Sequence, residues 1–268
     1  MRSIAVASGK GGVGKTMLSA NLACWLALEN QKVLVFDADL GLANMDIALG
    51  LEPKTTLKNV IREGLPMESA ITEGPAGMHL LAGGSGIEEL IGMGGTRLDH
   101  LLTQVTETAS GYDFLIIDAA AGVHSPVISC IAAADEACIV CTPEPSSLID
   151  AYAVIKQLNQ IKPRAEVAVV VNMADTQRHG VMVFERLKMI TGQYLSVQLR
   201  FAGAVRRDDS FIACSRQRQL VLLAHPTAPS ARDLEEAASQ LFYRKLPDRQ
   251  EVNLFDKLKG ALGQKPAA

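Results

Sequence analysis

Aromatic side chains are scarce: one Trp, four Tyr and seven Phe make up only 4% of the 268 residues. A protein that grips single-stranded nucleic acid by stacking bases on rings needs more of them. Charge of one sign is also in short supply. Lys plus Arg number 26 and Asp plus Glu 29, a formal net charge of −3. That balance argues against coating a polyanion with the whole surface and leaves room only for a local basic patch. No apolar run approaches the roughly 18 residues that a membrane span needs. Met1-Arg2-Ser3-Ile4 runs straight into a strand-like segment rather than a signal peptide. Neither secretion nor membrane spanning is expected. The five cysteines are odd in number, so no disulfide framework is expected and a reducing cytoplasm is the natural compartment. Cys138 and Cys141 do form a C-x-x-C, but inside a strand-like run where residues three apart face opposite ways. They read as core thiols rather than a metal or redox pair. The five histidines have no ligand spacing.

What is abundant is alternation. Short β-branched runs alternate with helical segments along the chain. Strands are expected at Ser3–Ala7, Lys32–Phe36, Met78–Ala82, Phe114–Asp118, Ala137–Thr142, Val167–Asn172 and Phe201–Val205. Several are apolar throughout, as in Val167-Ala-Val-Val-Val171, the mark of parallel strands buried on both faces. Helices are expected at about 15–29, 96–110, 125–134, 146–161, 181–191 and 230–244. The expected fold is α/β: a doubly wound, mostly parallel sheet with helices on both faces and ligands at the strand carboxyl ends. One domain over 1–246 and a tail over 247–268 are expected.

The first strand leads into Ser8-Gly-Lys-Gly-Gly-Val-Gly-Lys-Thr16, and a helix-forming stretch follows. Gly9 to Thr16 satisfies G-x-x-x-x-G-K-[ST] in a strand–loop–helix context. Glycines at Gly9, Gly11, Gly12 and Gly14, with Val13 between, let backbone N–H groups converge on phosphate oxygens, helped by the helix N-terminus. Lys15 is expected to reach the β- and γ-phosphates, and the Thr16 hydroxyl to bind Mg²⁺. The nucleotide site is therefore P-loop in kind.

Lys10, a second lysine inside this loop, makes the sequence resemble the MinD/ParA ATPases, whose deviant Walker A motif reads KGGVGKT. The resemblance implies ATP and ADP as ligands, hydrolysis of ATP to ADP and phosphate, and a homodimer in the ATP state. It assigns Lys10 to the partner's phosphates. In Val33-Leu-Val-Phe-Asp-Ala-Asp39, Asp37 and Asp39 stand at a strand's carboxyl end. The matched position gives Asp39 the water-orienting role near Mg²⁺. Asp118 closes the apolar Phe114-Leu-Ile-Ile117 as a Walker B carboxylate should, with a helix N-cap as the plainer reading, and Gly122 begins a second switch. Asn172 is similar to the family's adenine-contacting asparagine, with a strand-end turn as its rival.

Over about residues 2–240 the chain is similar to the FlhG/FleN branch, regulators of flagellar number and placement. The segments that carry this include Gly41-Leu-Ala-Asn-Met-Asp46, Gly83-Gly-Ser-Gly-Ile-Glu-Glu-Leu90 and Thr142-Pro-Glu-Pro-Ser-Ser147. A flagellar GTPase or a transcription regulator is the partner this implies. Relatives that activate that GTPase resemble each other in an extension before the first strand, which begins here two residues after Met1, so GTPase activation is left open. Met17, Ala119-Ala-Ala121 and Arg206 depart from the family pattern without removing an inferred ligand. In the tail, Leu254, Phe255, Leu258, Ala261 and Leu262 share one apolar arc flanked by Lys257 and Lys259. Residues 252–262 therefore suit either an anionic membrane surface or a docking place on the chain's own domain. The resemblance favours a protein reversibly peripheral on the inner face of the cell membrane. The alternatives are a ParA-like partition ATPase using Arg200, Arg206, Arg207, Arg216 and Arg218 on DNA, which a solvated face or partner surface outweighs, and an iron–sulfur carrier.

Overall fold

Apolar runs without polar alternation must be covered on both sides, and the computed structural model places them inside one sheet. It describes residues 1–39, 44–83, 104–162 and 165–243. The strands are β1 (Arg2–Ser8), β2 (Val33–Ala38), β3 (Ile71–Glu73), β4 (His79–Leu81), β5 (Phe114–Ala121), β6 (Glu136–Cys141), β7 (Glu166–Ala174) and β8 (Gln198–Arg206). Their order is β3-β4-β2-β5-β1-β6-β7-β8. All pairings are parallel except β3 with β4. Each expected strand is present, and β3 is an addition: three residues on a sheet edge are too few to show a period.

The helices are α1 (Lys15–Leu28), α2 (Met45–Leu49), α3 (Leu57–Glu63), α4 (Ser125–Ala133), α5 (Pro145–Ile161), α6 (Gln177–Tyr194), α7 (Asp209–Arg216), α8 (Val221–Ala224) and α9 (Pro229–Phe242), with a helical stretch at 104–110. The rest of the helix expected at 96–110 lies outside the described residues. So do 40–43 and 84–90, which carried part of the resemblance, and everything from 244 on, including the whole tail over 247–268. Helix α6 starts earlier than its apolar period suggests, because the Thr176 hydroxyl accepts from His179 N–H and caps it.

Alternate residues of each strand feed two cores. Ile4, Val6, Cys138 and Val140 pack with α1 and α9 on one face. Ala5, Ala7, Ile139 and Cys141 pack with α4, α5 and α6 on the other. The two C-x-x-C thiols therefore lie in different cores, as strand geometry requires. The crossover from β1 to β2 passes β5 on one face, and that from β5 to β6 passes β1 on the other. Winding thus reverses around β1 and β5, which opens a crevice at their carboxyl ends.

The opposite end of the sheet is fastened by charge. Glu136, 3% exposed, accepts from Arg2 at 2.6 Å and also from Arg200. The same guanidinium groups donate to the last carbonyls of α9: Arg2 to Leu241 and Phe242 at 2.7 and 2.6 Å, Arg200 to Gln240 at 3.1 Å. These carbonyls have no partner inside their helix, so the arginines satisfy them and oppose the negative helix end. Beside them Trp25 of α1 stacks on Phe242 with centroids 6.2 Å apart. Removing the shared carboxylate leaves the Arg2 guanidinium without its ion-pair partner, while Arg200 keeps only Glu166 at 3.3 Å. Glu136→Ala is expected to cost about 3–5 kcal/mol of stability, read as a lowered urea midpoint with an unchanged slope.

Candidate active site

The loop between β1 and α1 is shaped by what surrounds it. A Cβ on Gly9 would fall 2.1 Å from the Asp150 carbonyl oxygen, so only glycine lets the loop pass α5. Gly14 is left-handed, with φ +83°. It starts α1 without a side-chain cap and with no acidic residue in the first turn. The first N–H groups of α1 are therefore left for an anion, and the helix end favours one. They border a cleft of about 340 Å³ lined by Ser8, Lys10 to Met17, Asp39, Asn44, Ile47, Ala48, Ala121 and Ser215.

Below the loop, Asp118 is 1% exposed and accepts three side-chain hydrogen bonds. Lys15 Nζ donates at 3.0 Å, the Thr16 hydroxyl at 2.8 Å and the Ser19 hydroxyl at 2.8 Å. Asp118 is therefore not a helix cap. It lies inside β5, three residues before the strand ends. Its charge is matched by one lysine and its lone pairs by two hydroxyls, which is what burying a carboxylate requires.

Asp37 is buried too, and its oxygens face backbone. Oδ1 accepts from Asp39 N–H, and Oδ2 from Asn44 and Met45 N–H, each at 3.1 Å. Burial pushes this carboxyl up to about 6 against the pull of those N–H groups. Asp37 thus grips the chain on both sides of residues 40–43 and starts α2, whose Ile47 and Ala48 form a cleft wall. Asp39 is half-buried and reaches the cleft itself. Gly122, at φ +114°, donates its N–H to the Ser8 carbonyl at 2.9 Å and ties the end of β5 to the loop.

Comparison with known proteins agrees with this geometry. The ParA family model, described as NUBPL iron-transfer P-loop NTPase, matches residues 1–242. The antiactivator FleN of Pseudomonas aeruginosa is 35% identical over 91% of this chain and 87% of its own length. The flagellum site-determining protein YlxH of Helicobacter pylori is 32% identical over 89% and 81%. Among solved structures, the cell division protein MinD of Aquifex aeolicus superposes with a TM-score of 0.72 at 26% identity, covering 93% of this chain and all of that one. The chain belongs to the ParA/MinD family of P-loop ATPases.

As a member of that family it is an ATPase, and the placement of the remaining residues bears on how it works. Lys10 stands on the outer rim of the loop, its side chain 44% exposed, with Nζ 3.3 Å from both Glu144 and Ser146 at the start of α5. It makes no contact with Asp118. Asn172 is 1% exposed behind the loop, and its amide donates to the Val13 carbonyl at 2.8 Å. The five arginines do not form one patch. Arg200 belongs to the Glu136 cluster and Arg206 grips Asp233 through two hydrogen bonds, while Arg207, Arg216 and Arg218 are exposed. Cys24, Cys138 and Cys141 are buried, with the two C-x-x-C thiols in different cores, so they do not form a metal-binding pair.

Sequence reasoning did not find Ser19, the Asp37 grip or the Ile47–Ala48 wall. Ser19 lies one helical turn beyond Thr16, a spacing that could have revealed it. Mg²⁺ fits this donor set: the Thr16 hydroxyl is at the cleft and Asp118 lies behind it, so an ion there would need few protein ligands and would keep water and phosphate oxygens for the rest. The Lys15–Asp118 pair yields a stability test. Lys15→Met strands a buried carboxylate and is expected to cost about 3 kcal/mol. Adding Asp118→Asn should restore most of that loss without restoring ATP binding, as followed by thermal unfolding and titration with a fluorescent ATP analogue.

Proposed function

We propose that this ATPase is a dimerising molecular switch of the FlhG/FleN kind, which sets the number or placement of flagella. The likeness to FleN and YlxH along most of the chain supports that duty. The observation that carries the switch is the division of labour between the two lysines: Lys15 is buried on Asp118, while Lys10 is exposed on the rim beside Glu144 and Ser146. A phosphate entering the cleft meets the uncapped N–H groups of α1 and draws Lys15 from Asp118. Asp118 keeps its bonds to Thr16 and Ser19 and holds the Thr16 hydroxyl in place. Thr16, with Asp118 and Asp39 nearby, would hold Mg²⁺, which would supply charge that neutralises phosphate oxygens. Asp39 orients the attacking water, and Gly122, tied by its N–H to the Ser8 carbonyl at the loop, begins the second switch. Lys10 needs to break only surface contacts, worth about 0–1 kcal/mol, to reach a second copy's phosphates.

Light scattering with ATP and Mg²⁺ tests the switch. Lys10→Ala should bind ATP and stay monomeric. Asp39→Ala should bind ATP, hydrolyse it at least tenfold more slowly and accumulate as a dimer. A Lys10→Ala chain that dimerises like the parent contradicts the assignment.

The membrane side of the reading rests on residues 252–262, with 1–246 as the ATPase domain. Four large apolar side chains, each contributing at most ~1.5–3 kcal/mol, make a marginal anchor, and a dimer carries two. Vesicles with anionic lipid should therefore retain the chain only with ATP. Phe255→Glu should release it without affecting dimerisation. Retention that ignores Phe255→Glu would mean the tail does not contact lipid.

A further inference from the structure

Asn172 lies next to the cleft, and its side chain faces the back of the loop. Nδ2 donates to the Val13 carbonyl at 2.8 Å, and Oδ1 accepts from Met173 N–H at 2.9 Å. Each partner takes one end of the amide, so its orientation is fixed. Contact with the loop is tight: a Cβ on Gly14 would fall 2.4 Å from Asn172 Nδ2. Met173 holds a left-handed backbone, φ +58°, which is costly outside glycine and is held here by the Asn172 oxygen.

The consequence follows from the planarity of the peptide. The Val13 carbonyl and the Gly14 N–H belong to one trans unit and point in opposite directions. Holding the carbonyl back against Asn172 turns the Gly14 N–H away from β7, toward the cleft that Val13 and Gly14 line. It also keeps a carbonyl dipole from facing an anion. We infer that Asn172 is a positioning residue for phosphate, which aims the Gly14 N–H at the anion and acts equally whatever base the nucleotide carries. The inference rests on the phosphate site alone and is independent of dimerisation and of the flagellar reading.

Titration calorimetry of the full chain, well below its melting temperature, separates this from a base contact. The probes are Mg-ADP, Mg-GDP and inorganic pyrophosphate, against the parent, Asn172→Ala and Asn172→Leu. Asn172→Asp would keep the acceptor for Met173 and remove the donor to Val13 but add a charge that itself repels anions, so Asn172→Leu, uncharged and of similar volume, serves if the alanine variant folds poorly. Losing an aimed hydrogen bond to a charged group should weaken all three probes by about tenfold or more, with the ADP-to-pyrophosphate affinity ratio unchanged. A merely structural role would lower the melting temperature without moving the pyrophosphate affinity. Unchanged pyrophosphate binding overturns the inference, and so does a loss confined to the adenine nucleotide.

Discussion

One buried carboxylate organises the phosphate site. Asp118 has almost no access to water, and Lys15, Thr16 and Ser19 stand in for it as donors. The three donors come from the first turns of a single helix, so satisfying Asp118 also fixes α1 against β5. The arrangement is self-consistent without nucleotide, but Lys15 has a second use. Phosphate can compete for it because Asp118 keeps two hydroxyl donors when the lysine leaves. Stability and ligand binding thus draw on the same cation.

The rest of the fold serves that point. Reversal of winding around β1 and β5 puts the loop, Asp118 and Asp37 at one end of the sheet. Asp37 spends its oxygens on three backbone N–H groups, and so it shapes the segment that carries Asp39 rather than meeting the ligand. At the far end, Arg2, Glu136 and Arg200 anchor the last helix against α1. A single helix, α1, therefore has its start in the nucleotide site and its end beside Tyr243, whose hydroxyl donates to Glu29 at 3.1 Å.

Much of this was legible in the residues. Apolar runs marked every interior strand, and the glycine spacing before Lys15 and Thr16 marked the loop, because buried parallel strands and a phosphate loop tolerate little else. The edge strand β3 and the short helices α2 and α3 were not legible, since each is held by tertiary contacts over too few residues to show a period. Strand ends were misjudged for a related reason: β5 continues through Ala119, Ala120 and Ala121, small residues without a strand signature. The five arginines were close in sequence but not in use, because a buried Glu136 and Asp233 claimed two of them. Nor could spacing show that Asn172 faces the loop, since that depends on how β7 lies against Val13.

The central claim is that phosphate takes Lys15 from Asp118. A crystal structure of the chain with Mg²⁺ and a non-hydrolysable ATP analogue measures it directly. The account predicts Lys15 Nζ on the β- and γ-phosphate oxygens, with Asp118 still accepting from Thr16 or Ser19. An analogue bound while the 3.0 Å Lys15–Asp118 contact persists would contradict it.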